Sequence, residues 1–307
     1  MGHGTVREQH RQGLEYLQAA TALLRRVRNA HPTAGLLEAA DLQWWWRTKR
    51  PTDTLNQLFW FDESGRPEAA VIATAWGDAI ALDPIVMPDA TPEWVTHVIE
   101  RGLAHALGAG MAPEEVVIDR TDAVARAVLN RHGYAHAEDA PGTASASLSI
   151  VTAWLAVQPA SGVLPPISPL PAVYRLLSRQ DAMAGPHHMV RRSGPEVETR
   201  LRQTSLYRPD LDLTVLDPLD TVAAYALFWF DPETATGLVE PMRTEDEHQR
   251  RGLARHLLTA GIHRLAQAGA ARIKLCFKPD NPAARDLYLG VGFQPGGQTI
   301  ALSRRAG

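Results

Sequence analysis

The stretch Val239-Glu240-Pro241-Met242-Arg243-Thr244-Glu245-Asp246-Glu247-His248-Gln249-Arg250-Arg251-Gly252-Leu253-Ala254-Arg255 organises the reading of this 307-residue chain. A strand-like run ends at Thr244. A loop with two adjacent arginines and a glycine follows, and a helical pattern opens at once, with Leu253, Leu257, Leu258, Ile262 and Leu265 at helical spacing up to Gly269. Backbone N–H groups in the first turn of a helix have no internal acceptor and carry the positive end of the dipole. Gly252 permits close approach of the main chain to a ligand, Ala254 adds little bulk, and Arg250, Arg251 and Arg255 add charge. These are the parts of an anion cradle suited to a phosphate or pyrophosphate. The same residues also fit a basic helix start packed on a sheet, with its arginines in water.

Working outward, Leu211 to Leu216 and Thr221 to Phe230 are apolar, β-leaning runs joined by an Asp-Pro turn, which predicts a hairpin. Gly237 to Thr244 is a further strand, Arg250 to Gln267 a helix and Ile273 to Phe277 a strand. Asn281 caps a short helix with Pro282 in its first turn, Gly290 to Gly292 ends it, and Thr299 to Leu302 can close the sheet. This order is a mixed α/β layer structure. The first half reads as an amphipathic helix from Arg7 to Arg28 and a second from Gly35 to Trp46. Strands at 57–61, 69–76, 79–86 and 116–119 and helices at 94–107 and 122–131 follow.

The two halves look like diverged copies. Asp122 to Tyr134 lies over Asn281 to Phe293 without a gap, Gly133 meeting Gly292, and Asp83-Pro84 lies over Glu240-Pro241. Between them, residues 158–171 carry five prolines, which predicts a stiff extended connector. The expected division is therefore a first domain at 1–157, a linker at 158–171 and a second domain at 172–307.

Composition narrows the function classes. The formal charge is −3, against a basic nucleic-acid footprint, and the single cysteine, Cys276, excludes an intramolecular disulfide and any multi-cysteine metal site. The longest weakly polar stretch, Thr143 to Val157, is shorter than the ~20 apolar residues of a spanning helix, and Met1 to Thr5 lacks the apolar core of a secretion signal. The expectation is a cytoplasmic protein that binds neither membrane nor nucleic acid, a monomer or homodimer. No metal is expected. His187-His188 reads as a surface loop pair, because neighbouring side chains on a strand point to opposite faces. Cys276 reads as a buried core residue, and Trp44-Trp45-Trp46 as core and interface packing.

The string Gln249-Arg-Arg-Gly252-Leu-Ala254 resembles the Gln/Arg-x-x-Gly-x-Gly/Ala loop of the GCN5-related N-acetyltransferases, the GNAT superfamily. About thirty residues on, Asn281-Pro-Ala-Ala-Arg-Asp-Leu-Tyr288 with Gly292-Phe293 resembles the second family motif. The strong match covers Thr221 to Leu302. The duplicated layout is similar to tandem members of the family, the mycothiol synthase group among them. The resemblance implies two tandem GNAT-like α/β domains, each a twisted mixed sheet flanked by helices, with acetyl-CoA as acyl donor. It implies that Met242, Arg243 and Thr244 face the pantetheine arm, that Gln249, Arg250, Arg251, Gly252, Leu253, Ala254 and Arg255 hold the pyrophosphate, and that Asn281 and Ala284 lie on the pantetheine side. Tyr288 would sit near the sulfur. A phenol, with an ordinary pKa of ~10, can donate a proton to a leaving thiolate whose thiol has a pKa of ~8.5, and a backbone N–H such as that of Met242 can meet the developing oxyanion.

Glu240 is the acid nearest this strand segment. It can assist loss of the amine proton or bind a cationic acceptor, and a structural salt bridge accounts for it equally. Some family relatives carry a glutamate two positions earlier, where this chain has Leu238. The first half lacks the cradle: Asp89-Ala-Thr-Pro-Glu-Trp-Val-Thr has neither glycine nor arginine, Asp122 replaces the asparagine and Leu129 the tyrosine. That domain is expected to be non-catalytic. The expected activity is acetyl transfer to the primary amine of a small molecule by direct attack in a ternary complex. The alternatives are a non-catalytic acyl-CoA-binding regulatory module and acetylation of a cysteinyl sugar of the mycothiol type.

Overall fold

The computed structural model describes residues 6–136, 149–157, 164–182 and 184–304. In it, Asp122 and Asn281 do the same local work. Each is a helix N-cap whose side chain accepts from the N–H three residues on, Asp122 from Ala125 at 2.8 Å and Asn281 from Ala284 at 3.1 Å. Each helix then ends at a left-handed glycine, Gly133 at φ 81° and Gly292 at φ 115°. The aligned strings thus fold alike because the same caps start and stop them.

In chain order the first elements are β1 (Arg7–Arg11), α1 (Gly13–Ala30), α2 (Ala39–Trp45), β2 (Gln57–Phe61), β3 (Pro67–Trp76) and β4 (Ala79–Val86). Then come α3 (Pro92–Gly108), β5 (Glu115–Asp119), α4 (Ala123–Arg131), β6 (Tyr134–Ala135) and β7 (Ile150–Ala156). The remainder holds β8 (Arg175–Ser178), α5 (Val190–Ser193), α6 (Val197–Leu201), β9 (Asp212–Leu216), β10 (Val222–Asp231) and β11 (Thr236–Thr244). It closes with α7 (Leu253–Ala268), β12 (Arg272–Phe277), α8 (Pro282–Val291) and β13 (Gln294–Arg304). Among the described residues no helix is long and apolar enough to cross a membrane.

Two compact units result. One comprises Met1–Leu42, Lys49–Val151 and Gly297–Gly307, the other Gln43–Thr48 and Thr152–Gly296. The division by a single cut at the proline-rich connector differs from this: each unit is built from separate stretches. Strand pairing is the reason. Thr299 to Ser303 of β13 pair antiparallel with β5, so the last strand of the chain completes the first unit's sheet. Of the connector, 158–163 lie outside the described residues. The rest is anchored to α7, where Ser168 N–H donates to Thr259 Oγ1 at 3.0 Å and His263 Nε2 lies 2.8 Å from the Pro165 carbonyl.

In the first unit the sheet runs β1-β2-β3-β4-β5-β13, antiparallel but for the parallel β4–β5 pair. Trp60, Val71, Leu82, Val98, Leu103, Val116, Leu129 and Ile300 are among the residues that fill its core. The helix expected from Arg7 begins only at Gly13 (φ 57°), and Arg7–Arg11 is an edge strand on β2. The polar string Arg-Glu-Gln-His-Arg carries no apolar alternation, because an edge strand is held by main-chain bonds and exposes most of its side chains. Pairing of β4 with β5 is confined to Ala81 and Leu82, although β4 continues to Val86.

Asp83 lies where that pairing stops. It is buried, and its Oδ2 has no hydrogen-bond partner. Burial, then the negative charge of Asp41, pushes its carboxyl up to about 7. The unfolded chain loses this proton near pH 4 and the folded chain near pH 7, so stability is full below the lower value and falls as pH rises between the two. Asp83→Asn removes that dependence. The variant is expected to melt higher than the parent at pH 8, by at most about 4 kcal/mol of stability, with the difference vanishing by pH 4. Parallel melting curves across this range would refute the assignment.

The second unit has the order β7-β12-β11-β10-β9-β8. One sheet face is packed by α7: Gly261 rests on Phe228 and Leu265 on Gly237. On the opposite face Tyr207 meets Trp229 and His188 meets Tyr225, at ring separations of 6.3 and 5.2 Å. The strand at β8 and the short helices α5 and α6 carry no clear period in the sequence and are additions to the predicted list.

Candidate active site

The site is built on β11. Its pairing with β10 is broken by a bulge, since Phe228 pairs with Val239 but Ala226 with Met242. The extra residues at Glu240 and Pro241 turn the strand, and the Trp229 indole N–H secures the turn by donating to the Glu240 carbonyl at 2.7 Å. On its other side β11 pairs in parallel with β12 only from Thr236 to Val239, opposite Arg272 to Leu275. Beyond Val239 the strands part while β11 continues to Thr244. Main-chain groups of residues 240–244 on that edge therefore face a notch rather than a strand. Thr244 adds a buried hydroxyl with no hydrogen-bond partner.

The chain then makes a short 3-10 turn at Asp246–His248 and reaches the cradle. Arg250 takes φ 60° and Gly252 φ 80°, two left-handed residues within three positions. This fans successive N–H groups toward one side. Gly252 is the N-cap of α7, and no side chain caps the helix. The equivalent helix of the first unit differs: Thr91 caps α3 and takes the Trp94 N–H at 3.3 Å. In the second unit the first-turn donors of α7 have no side-chain cap. A Cβ at Gly252 would meet nothing within 4 Å, so the approach is open. The predicted helix start at Arg250 moves to Leu253 for the same reason, because positive φ excludes Arg250 and Gly252 from the helix.

The predicted binding residues divide by role. Arg251 is pinned, donating through Nη1 to the Tyr174 hydroxyl at 2.9 Å and through Nη2 to the Glu247 carbonyl at 3.0 Å. Tyr174 in turn meets His248 Nδ1 at 3.1 Å. Arg255 reaches the Gly290 carbonyl of α8 at 3.3 Å, and Arg250 is exposed. Gln249 donates to Asp246 at 3.0 Å, and Arg243 pairs with Glu245 at 3.4 Å. Leu253 is core, 1% exposed, so its side chain is turned away from the loop. Met242 and Ala254 are half-buried. Asn281 and Ala284 form the N-terminal cap of α8, and Ala284 is one turn before Tyr288 on the same helix face.

Tyr288 is buried between the rings of Phe277 and Phe293, at 5.9 and 6.4 Å. Burial, then the nearby charge of Glu240 and the Cys276 thiol, pushes its phenol up to about 12. The fold thus brings Tyr288, Glu240 and Cys276 together at the notch, and it keeps the phenol protonated through the physiological range. Cys276, read from the sequence as core, is half-buried and belongs to this cluster. Tyr174 and Trp229, which position the loop and the bulge, carried no signal, since their partners lie 77 and 11 residues away along the chain.

His187 and His188 depart from the surface-pair expectation. They occupy a turn rather than a strand, so their rings stack at 4.4 Å instead of pointing apart. His187 is 3% exposed, and its Nε2 lies 2.8 Å from the buried Asp212 carboxylate.

Residues 170–293 match the acetyltransferase (GNAT) family. A stretch of 60 residues is 42% identical to a mycothiol acetyltransferase of Kocuria rhizophila, and the match covers 20% of each chain. The chain therefore spans about a fifth of the length of that curated relative. Among solved structures, a tandem GNAT protein from the clavulanic acid biosynthesis pathway superposes with a TM-score of 0.64 at 14% identity, over 99% of both chains. A GCN5-related N-acetyltransferase from Sphaerobacter thermophilus gives 0.59 at 14% identity, over 98% of this chain and 96% of that one. At such identities the likeness is one of fold, and it extends over both halves. The split strand, the uncapped helix start and the matched residues agree: residues 170–293 match the GNAT acetyltransferase family, and the fold is similar to that of a tandem GNAT protein.

Proposed function

We propose that the second unit transfers an acetyl group from acetyl-CoA to the primary amine of a small molecule, by direct attack within a ternary complex. The observation that carries the reading is the junction of an open notch beside residues 240–244 with a helix N-terminus that no side chain caps. The residues present fit coenzyme A. The N–H groups from Gln249 to Arg255 answer a diphosphate, assisted by Arg250, Arg251 and Arg255. Main-chain groups of Met242 and Thr244 answer the amides of an extended pantetheine arm, in the manner of an added strand. When bound, the donor supplies an activated thioester.

The chain's own residues supply orientation and protons. Tyr288 holds its phenolic proton at neutral pH and delivers it to the departing thiolate. The Met242 N–H meets the developing oxyanion. Glu240, whose charge reaches Tyr288, takes the amine proton directly or through water, or draws a cationic acceptor to the notch. The first unit lacks the glycine cradle and the tyrosine and has no part in the chemistry. The protein works in the cytoplasm, as a monomer or homodimer.

The test is calorimetric titration of the full chain with acetyl-CoA and with free coenzyme A, paired with thiol release across a panel of small primary amines. Gly252→Val should weaken both ligands by about tenfold or more. A β-branched residue is costly at φ 80°, by roughly 1–2 kcal/mol, and its methyls occupy the approach. Equal affinity in parent and variant would remove the cradle from the proposal.

A further inference from the structure

Asp212 opens β9 and is fully buried. Its Oδ2 is satisfied twice: the Tyr207 hydroxyl donates at 2.9 Å and His187 Nε2 lies at 2.8 Å. Its Oδ1 has no hydrogen-bond partner. Facing that oxygen at 3.3 Å is Nε2 of His188, whose side chain is 7% exposed and whose Nε2 also has no hydrogen-bond partner. The two atoms are close enough to bond, yet their angles do not make a hydrogen bond. Two buried polar atoms this close to one another, neither with a hydrogen-bond partner, are costly unless something joins them.

The three candidate donor atoms, one each from His187, His188 and Asp212, lie within 4.8 Å of one another. Two ligands about 2.0 Å from a zinc ion at the tetrahedral angle lie about 3.3 Å apart, which matches the His188 to Asp212 separation. Imidazole nitrogen with carboxylate oxygen is a donor set for a borderline divalent transition ion rather than for calcium or magnesium. The surroundings are arranged as around a ligating carboxylate. Tyr207 orients Asp212, and the Arg179 N–H fixes the Asp212 backbone carbonyl at 2.7 Å. The Arg179 side chain is itself engaged by Glu198 at 2.6 Å, so it does not neutralise Asp212.

We infer that His188 Nε2, Asp212 Oδ1 and His187 Nε2 form a binding site for one zinc-like divalent ion, which fastens the turn at 186–189 to the start of β9. Ligation by His187 has a cost. Its Nδ1 now accepts the Met189 N–H at 3.2 Å, which places the ring proton on Nε2. To bind the ion this proton passes by way of solvent to Nδ1, and both the Met189 contact and the hydrogen bond to Asp212 Oδ2 are given up, leaving Oδ2 to the Tyr207 hydroxyl, with no net change in protons on that ring. His188 and Asp212 are therefore the stronger pair, and His187 completes the site. This site is separate from the acyl-transfer site and stands or falls independently of it.

The experiment uses the full chain without an affinity tag, stripped by chelator dialysis, with Zn2+ titrated against a chromophoric indicator and Co2+ followed by its visible absorption. One equivalent of Zn2+ should bind, Co2+ should give the intense bands of a low-coordinate nitrogen–oxygen site, and Zn2+ should raise the melting temperature. His188→Gln should weaken Zn2+ by about 100-fold, and His187→Gln by about tenfold. Asp212→Asn is the second probe of the carboxylate, and an unchanged far-ultraviolet circular dichroism spectrum verifies that each variant is folded. Absence of saturable binding by either ion in the parent would overturn the inference, as would binding that survives unchanged in the His188 variant.

Discussion

Tyr288→Phe is expected to lower kcat for acetyl transfer by about 100-fold or more while leaving the affinity for acetyl-CoA unchanged. The substitution removes one oxygen and keeps the ring that packs against Phe277 and Phe293. Packing and donor binding therefore persist, and the loss falls on the proton that meets the leaving thiolate. The phenol is held up to about 12 by burial and by the charge of Glu240, so in the parent its ionisation contributes no alkaline limb to the rate profile below about pH 11. Steady-state thiol release with the best amine of the panel, beside a donor titration, reads both quantities. Undiminished turnover in the phenylalanine variant would take Tyr288 out of the chemistry. Strong donor binding with no turnover of any amine by the parent would instead favour the regulatory acyl-CoA-binding module.

Gly261→Ala should destabilise the second unit even though alanine is the better helix former. The added methyl would lie 2.0 to 2.3 Å from three atoms of the Phe228 ring, and Phe228 is fully buried in the sheet beneath. Alanine gains up to about 1 kcal/mol in helix propensity. Overpacking a fixed aromatic ring costs about 1–3 kcal/mol and more where several atoms collide, so the clash wins. The melting temperature should fall by roughly 5–10 °C. Gly108→Ala, in the last turn of α3 with nothing within 4 Å of the new methyl, should instead be neutral or slightly stabilising. Pairing Gly261→Ala with Phe228→Leu should lessen the clash, giving a double variant more stable than the sum of the single changes predicts. A Gly261→Ala protein as stable as the parent would refute the close packing of Gly261 on the Phe228 ring.

The parts of this protein that could be read along the chain are those whose causes are local. The Asn281 cap, the glycine stops at Gly269 and Gly292, the 3.6-residue spacing of Leu253 to Leu265 and the arginine–glycine loop all act within a few residues of themselves, and each lies where its pattern placed it, to within the two or three residues by which Arg250 and Gly252 delay the start of α7. Other features depend on partners far away in the chain. The pairing of β13 with β5 joins segments about 180 residues apart, and no local pattern states which edge a strand will choose. The bond from Arg251 to Tyr174, the charge of Glu240 beside Tyr288 and the gathering of His187 and His188 around Asp212 are likewise products of packing. Burial removes water from such groups, and which neighbour replaces the water is decided by distance in space rather than by spacing in sequence.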